Sequence, residues 1–420
     1  MFKRALFCAA YANAPLIAVM WWLLGCGAAI AHAQAPAAGP SAASPADLVP
    51  VDGPRTTGRL LACDVGWKLN FATDKGTVAL NAADLAWWGA PVEPARGPLV
   101  MLADGGLLAA TVESVGREKL TVESPTFGPL ELKLAEVAAV ALAPPGGAAR
   151  RDRWLDELRG VTGDADELWL DNGDRLKGTL KAVRPEAIEL ETEIGPATIE
   201  IARVAGIVFN PALAARHRAT ALVALVGLAD GSLLVVNELV LAPAAKGKSS
   251  LATLKTASGI TGHAAASELV YLQPLGGRVD YLSDLEPQSY RHIPYLSVAW
   301  PYQADRTASG NWLRAANRWW PKGLGMHSAA RLTYDLKPEH ARFEAELAID
   351  AAAGPRGSVV CRVYVDNKER FVSEVLRGGA APVSVSVDVR GGKRVSLIVD
   401  FADRADELDY ADWLAARLVR

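Results

Sequence analysis

Cysteine is scarce. The chain has four in 420 residues, too few for a disulfide framework. Cys8 and Cys26 fall in the N-terminal segment, which leaves Cys63 and Cys361, far apart and expected in different domains. Two separate buried thiols are expected rather than one bridge. No cysteine spacing suits zinc or haem. Histidine is scarce too: there are six, with no H-x-x-x-H or H-E-x-x-H pair, so the helix-borne zinc hydrolase motif is missing. No G-x-S-x-G occurs, and no recognisable glycosidase pair of carboxylates. An excess of one charge is also missing. Lysine and arginine total 44 against 47 aspartates and glutamates, a net −3. That gives no electrostatic case for nucleic acid or an acidic membrane surface. Beyond the first segment, no apolar run approaches the ~18 residues that span a bilayer.

What is present is a globular composition, 50% hydrophobic and 22% charged, with room for about two to four domains. The start reads as a targeting segment over residues 1–33. Lys3 and Arg4 precede an apolar run from Pro15 to Ile30, and Ala31-His32-Ala33 offers a cleavage site. A rival reading is a lipobox, Leu23-Leu24-Gly25-Cys26, which would anchor the chain through a lipidated Cys26; an uncleaved anchor is a third. The two cleaved forms predict export to the periplasm or the extracellular space. Gln34 to Pro50 is rich in Ala, Pro and Ser and reads as a flexible linker.

From Val51 onward short alternating apolar runs sit between Gly, Asp and Asn, the pattern of an all-β protein. An internal repeat organises this region. Asp104-Gly105-Gly106-Leu107 aligns with Asn172-Gly173-Asp174-Arg175, and the match runs on to Val140 against Ile207. A weaker copy begins at Asp230-Gly231, and the unit 51–89 is a fourth candidate. The Asx-Gly pairs are hairpin-turn chemistry. About five short strands per copy predict tandem small barrels of SH3-like or Sm-like type, serving as spacers or as docking modules for envelope proteins. The expected boundaries are 51–142, a linker with a short helix at 143–165, then 166–212 and 213–276. The helix rests on Trp154, Leu155 and Leu158. The Ala-rich stretch 212–226 is expected to be a second connecting helix. Lys246-Gly247-Lys248-Ser249 lacks the context of a phosphate loop and reads as a hairpin tip.

The last segment, 277–420, carries six ordered motifs: Tyr281-Leu282-Ser283-Asp284-Leu285-Glu286-Pro287; Gly323-Leu324-Gly325-Met326-His327-Ser328; Leu332-Thr333-Tyr334-Asp335-Leu336 with Phe343 to Asp350; Gly357-Ser358-Val359-Val360 through Asn367; Leu397-Ile398-Val399-Asp400; and Asp409-Tyr410-Ala411-Asp412-Trp413. This stretch resembles the NPCBM domain, a bacterial family of carbohydrate-binding modules related to carbohydrate-binding family 51. It departs from the family pattern at Tyr410, where histidine is usual, and at Ala348, where glycine is common. The resemblance implies a galactose-binding-like jelly-roll β-sandwich, with ligands met by loops at its ends. Independently, Val383 to Arg390 alternates with period two, as a strand with one buried face should.

A sugar needs a flat aromatic face for its C–H groups and polar side chains for its hydroxyls. Trp319, Trp320 and His327 are the candidates for the first, with Asp409 and Asp412 as acceptors. Trp413 is expected in the core. Asp350 and Asp366 either cap turns or hold a structural calcium; no other cofactor is called for. The expected function is an exported, non-catalytic protein that binds carbohydrate, a galactose-type glycan in the first instance. The alternatives are a glycoside hydrolase with an appended module and an envelope scaffold with protein partners.

Overall fold

The computed structural model describes residues 43–94, 97–215, 217, 222–242 and 250–420. The targeting segment with Cys8 and Cys26, and Lys246 to Ser249, lie outside the described residues. Among the described residues no helix is long and apolar enough to cross a membrane.

The same local chemistry builds the N-terminal region four times. In three copies an Asx side chain caps its own turn: Asp104 accepts from the Gly106 N–H at 2.8 Å, Asn172 from Asp174 at 3.0 Å and Asp230 from Ser232 at 2.8 Å. The glycine between has a φ of 96°, 91° and 88° respectively, which an L side chain rarely adopts. Each copy then runs through a bent strand and a hairpin to a 3-10 turn: Ala82–Asp84, Leu134–Glu136, Ile201–Arg203 and Ala266–Glu268. A closing strand follows and pairs with the copy's first strand.

The copies are not separate beads. Closing strands also pair with each other, Trp88 opposite Leu272 and Val140 opposite Ile207. All strands therefore join one 21-stranded antiparallel sheet, and a shared core runs from Leu48 and Leu60 to Leu269 and Leu272. The expected chain of independent small barrels gives way to this sheet, because each closing strand has a partner on both edges. Two further expectations change. Part of the linker, Ala46–Pro50, is a strand. The stretch expected as a second helix, 212–226, runs at its end into a strand, Val223–Leu228, with all six residues buried and paired on both sides. The other helix forms as Ala148–Arg159 and buries Leu155 and Leu158. Cys63 and Cys361 are free and buried.

The C-terminal region is a sandwich of two six-stranded sheets. One is built on Gly323–His327, Tyr410–Val419 and Arg342–Ile349; the other on Ala330–Asp335, Arg394–Phe401 and Ser358–Val365. Phe343, Leu332, Val363, Leu397 and Trp413 fill the space between them. The predicted alternation holds: Val385, Val387 and Val389 point in.

This sandwich is seated on the repeats rather than tethered to them. Trp320 meets Trp87 edge-on at 5.7 Å. The Tyr281 hydroxyl donates to Ala86 O at 3.0 Å, and Trp319 Nε1 donates to Val92 O at 3.0 Å. Arg314 and Arg306 reach the helix, at Asp152 and Asp156. A spacer would need none of this buried apolar and ionic contact.

Candidate functional site

The strand Gly323–His327 carries the site. Gly325 is fixed by space: a Cβ there would lie 2.3 Å from Arg306 O, so only glycine lets the 305–308 loop cross so closely. At the strand's end His327 pairs in register with Tyr410. Its ring stacks on Trp300, with centroids 4.6 Å apart and planes 5° from parallel. Tyr410 and His292 close on it at 5.8 and 6.0 Å.

The hydrogen bonds settle the proton positions. His292 Nδ1 accepts from the Trp300 N–H at 3.2 Å, so its Nε2 is the donor to Ser328 O at 2.9 Å. His327 Nδ1 donates to the same carbonyl at 2.8 Å. Burial pushes the His327 pKa down, so the ring stays neutral and its Nε2 lone pair is an acceptor. Asp409 locks the base of this arrangement. It accepts from Ser328 Oγ at 2.6 Å and from the Ser358 N–H at 3.0 Å, and burial raises its pKa to about 6.

Above this base the loop between His292 and Tyr302 is exposed. Leu296 is 83% and Tyr295 55% exposed, and Tyr295 meets the exposed Phe401 edge-on at 6.1 Å. Trp300 is half-buried, with one ring face stacked on His327. The result is an aromatic shelf at one end of the sandwich, supported from beneath by the buried His327 imidazole.

The model of the NPCBM/NEW2 domain matches residues 278–419. The C-terminal sandwich is an NPCBM/NEW2 domain. A protein described as an endo-alpha-N-acetylgalactosaminidase from Renibacterium salmoninarum is 31% identical over 100 residues, 24% of this chain. The chain spans only 7% of that relative's length. Among solved structures, the family 51 module of GH95 from Clostridium perfringens, in complex with methyl-galactose, is 25% identical. That match covers 34% of this chain and 99% of the other, with a TM-score of 0.31. The second family 51 module of ZmpB from the same organism, solved with INT domains and GlcNAc, is 24% identical, covering 45% and 44%, with a TM-score of 0.31.

The residues singled out in the sequence do not gather in one place in the NPCBM domain. His327 and Asp409 do come together. Trp319 and Trp320 are 6% and 4% exposed and lie in the contact with the repeats, so neither ring offers a face to a sugar. Asp412 is 1% exposed and faces Asp350 rather than the shelf. Sequence reasoning did not single out Tyr295, Trp300 and Phe401, whose rings lie at this end of the sandwich, and set Tyr410 down as a departure from the family. The signal was there in Tyr290 to Tyr302, an aromatic-rich stretch broken by two prolines.

Asp350 and Asp366 also part company. Asp366 is a turn brace, accepting from the Lys393 and Arg394 N–H groups at 3.0 Å. Asp350 accepts from the Ala352 and Arg314 N–H groups at 2.8 and 3.0 Å, yet it also sits beside Asp412 and Thr307. Both Asp412 oxygens, Thr307 Oγ1 and Asn311 Oδ1 are buried without a hydrogen-bond partner among the described residues. Burial and the neighbouring Asp350 hold the Asp412 carboxyl well above its ordinary range. Among the described residues no three His, Cys, Asp or Glu side chains cluster. The oxygens that do meet, from Asp350, Asp412 and Thr307, are hard donors of the kind a calcium ion takes.

Proposed function

We propose that the chain is an exported, non-catalytic carbohydrate-binding protein whose NPCBM domain takes a galactose-type glycan on the Trp300 shelf. The observation that carries this is the half-buried Trp300 stacked on the neutral His327 inside an exposed loop. Tyr295 and Trp300 supply flat apolar faces for a pyranose ring. His327, itself only 2% exposed, supports the Trp300 ring from beneath rather than meeting the sugar. The exposed rim is rigid because Tyr290 Oη donates to Trp300 O at 2.6 Å. Binding rather than catalysis is the better reading, because both oxygens of Asp409, which accepts from the hydroxyl of Ser328 next to the histidine, already hold the fold together. The N-terminal segment of the sequence supports export.

The test is titration of the full mature chain with galactosides by calorimetry. Trp300→Ala is expected to weaken binding at least tenfold, and Tyr295→Ala, at an exposed position that the fold does not need, several-fold. Undiminished affinity in both variants, or turnover of chromogenic galactosides by the wild type, overturns the proposal.

The unpartnered oxygens around Asp412 support a bound calcium that braces the 305–312 loop against the sandwich. Calcium is expected to raise the melting temperature and a chelator to lower it. Asp412→Asn is expected to abolish that response. If instead the two carboxyls share a proton, calcium leaves the wild type unchanged and Asp412→Asn melts no lower.

A further inference from the structure

A second polar surface lies away from the shelf, on the outer face of the sheet containing Ala330–Asp335 and Arg394–Phe401. It is an open groove of about 860 Å³. Arg291 and Arg331 stand directly opposite each other in the strand register. Like charges so placed repel, and neither guanidinium has a salt-bridge partner among the described residues. Arg331 is held only by neutral groups, donating at 3.3 Å to Asn367 Oδ1 and at 3.3 Å to Ser396 Oγ. The floor beneath is a buried hydroxyl pair, Thr333 Oγ1 and Ser396 Oγ, 2.9 Å apart. Lys393, also without a salt-bridge partner among the described residues, adds a third cation at the rim.

Two carboxylates line the groove, and neither forms a salt bridge with Arg291, Arg331 or Lys393. Asp366 keeps its charge but is turned to the backbone N–H groups of Lys393 and Arg394, so four cations line the groove against two carboxylates. Asp335 lies 3.5 Å from Arg394, with which it forms an exposed pair. That leaves an excess of positive charge on a face whose other groups are hydroxyls and amides, in a chain with a net charge of −3.

The geometry points to a second saccharide site here, selective for sugars that carry a carboxylate or a sulfate. Two unpaired guanidiniums match the oxygens of such a group, each able to bind two of them at once. Thr333, Ser396, Asn367 and Gln288 suit the ring hydroxyls. This inference rests on the carbohydrate reading of the domain but shares no residue with the Trp300 shelf.

The experiment uses the full mature chain, with trigalacturonate, a sulfated galactan oligomer, neutral galactotriose and inorganic sulfate as probes. At least one acidic oligosaccharide is expected to bind ten times more tightly than galactotriose in the presence of Trp300→Ala, and to weaken as salt rises from 50 to 300 mM. Arg331→Gln and Arg291→Gln are each expected to cut that binding about tenfold, with the melting temperature unchanged or raised. The trigalacturonate and sulfated-galactan arms separate a carboxylate from a sulfate requirement. Equal affinity for galactotriose, undiminished affinity in both glutamine variants, or inorganic sulfate binding as well as either oligosaccharide overturns the proposal. Loss of acidic binding in Trp300→Ala alone would place the ligand on the shelf, and also overturns it.

Discussion

Arg314→Ala is expected to cost about 3–5 kcal/mol, the range for breaking a buried ion pair by removing one partner. Asp152 is 0% exposed, and Arg314 is its guanidinium partner, through a bond to Nη2 at 3.0 Å and a second to Nη1. Arg314 Nε also donates to Glu93 Oε1 at 2.6 Å. One side chain of the sandwich thus ties together the helix and the loop after the first repeat. Without it the Asp152 carboxylate keeps the Trp312 N–H at 3.1 Å but loses both charged donors. Arg151 lies only 3.9 Å away through Nε, too far to replace them. Arg314→Lys is expected to recover little, since a single ammonium cannot serve Asp152 and Glu93 together. Denaturant unfolding of the full chain measures the loss. The double variant with Asp152→Ala should lose less than the sum of the two singles. A change below about 0.5 kcal/mol in Arg314→Ala would mean that the domains are not locked through this contact.

Much of the architecture was legible, and the misreadings have definable causes. The Asx-Gly turns announced the repeat because they are local: a side chain, its own backbone and one glycine of positive φ. The family motifs announced the sandwich for the same reason, since each is a contiguous run. The first part of the strand Val223–Leu228 was misread as the end of a helix because a strand buried on both faces has no alternation to show. Separate barrels were expected because a repeat shows where copies begin and not whether their closing strands find each other. Trp319 and Trp320 were misread because a tryptophan beside a glycine-rich loop looks the same at a rim as at a seam. What decided between the two lies far upstream in the sequence, at Val92 and Trp87. Asp412 was expected as a sugar acceptor but is buried, and its neighbour Thr307 comes from a loop about a hundred residues earlier, beyond the reach of any spacing rule.

The seam assignment makes a second large prediction. Trp320→Ala is expected to destabilise the full chain by about 3–5 kcal/mol, the usual cost of emptying a packed aromatic site. Its ring is held edge-on against Trp87 and lies beneath the Arg318 guanidinium at 3.9 Å, and Leu414 and Tyr281 belong to the same buried cluster. No nearby side chain is free to fill the space, because the strands on both sides are fixed by their own pairing. The galactoside affinity of the molecules that remain folded should stay within about twofold of wild type, well under the ~1.4 kcal/mol that a tenfold change requires. Trp300→Ala should show the reverse pattern, a large loss of affinity with a smaller loss of stability. The two tryptophans are thus separated by which quantity each one moves. Trp320→Ala with unchanged melting and lost binding would return Trp320 to the sugar and remove the seam as the reason for its burial.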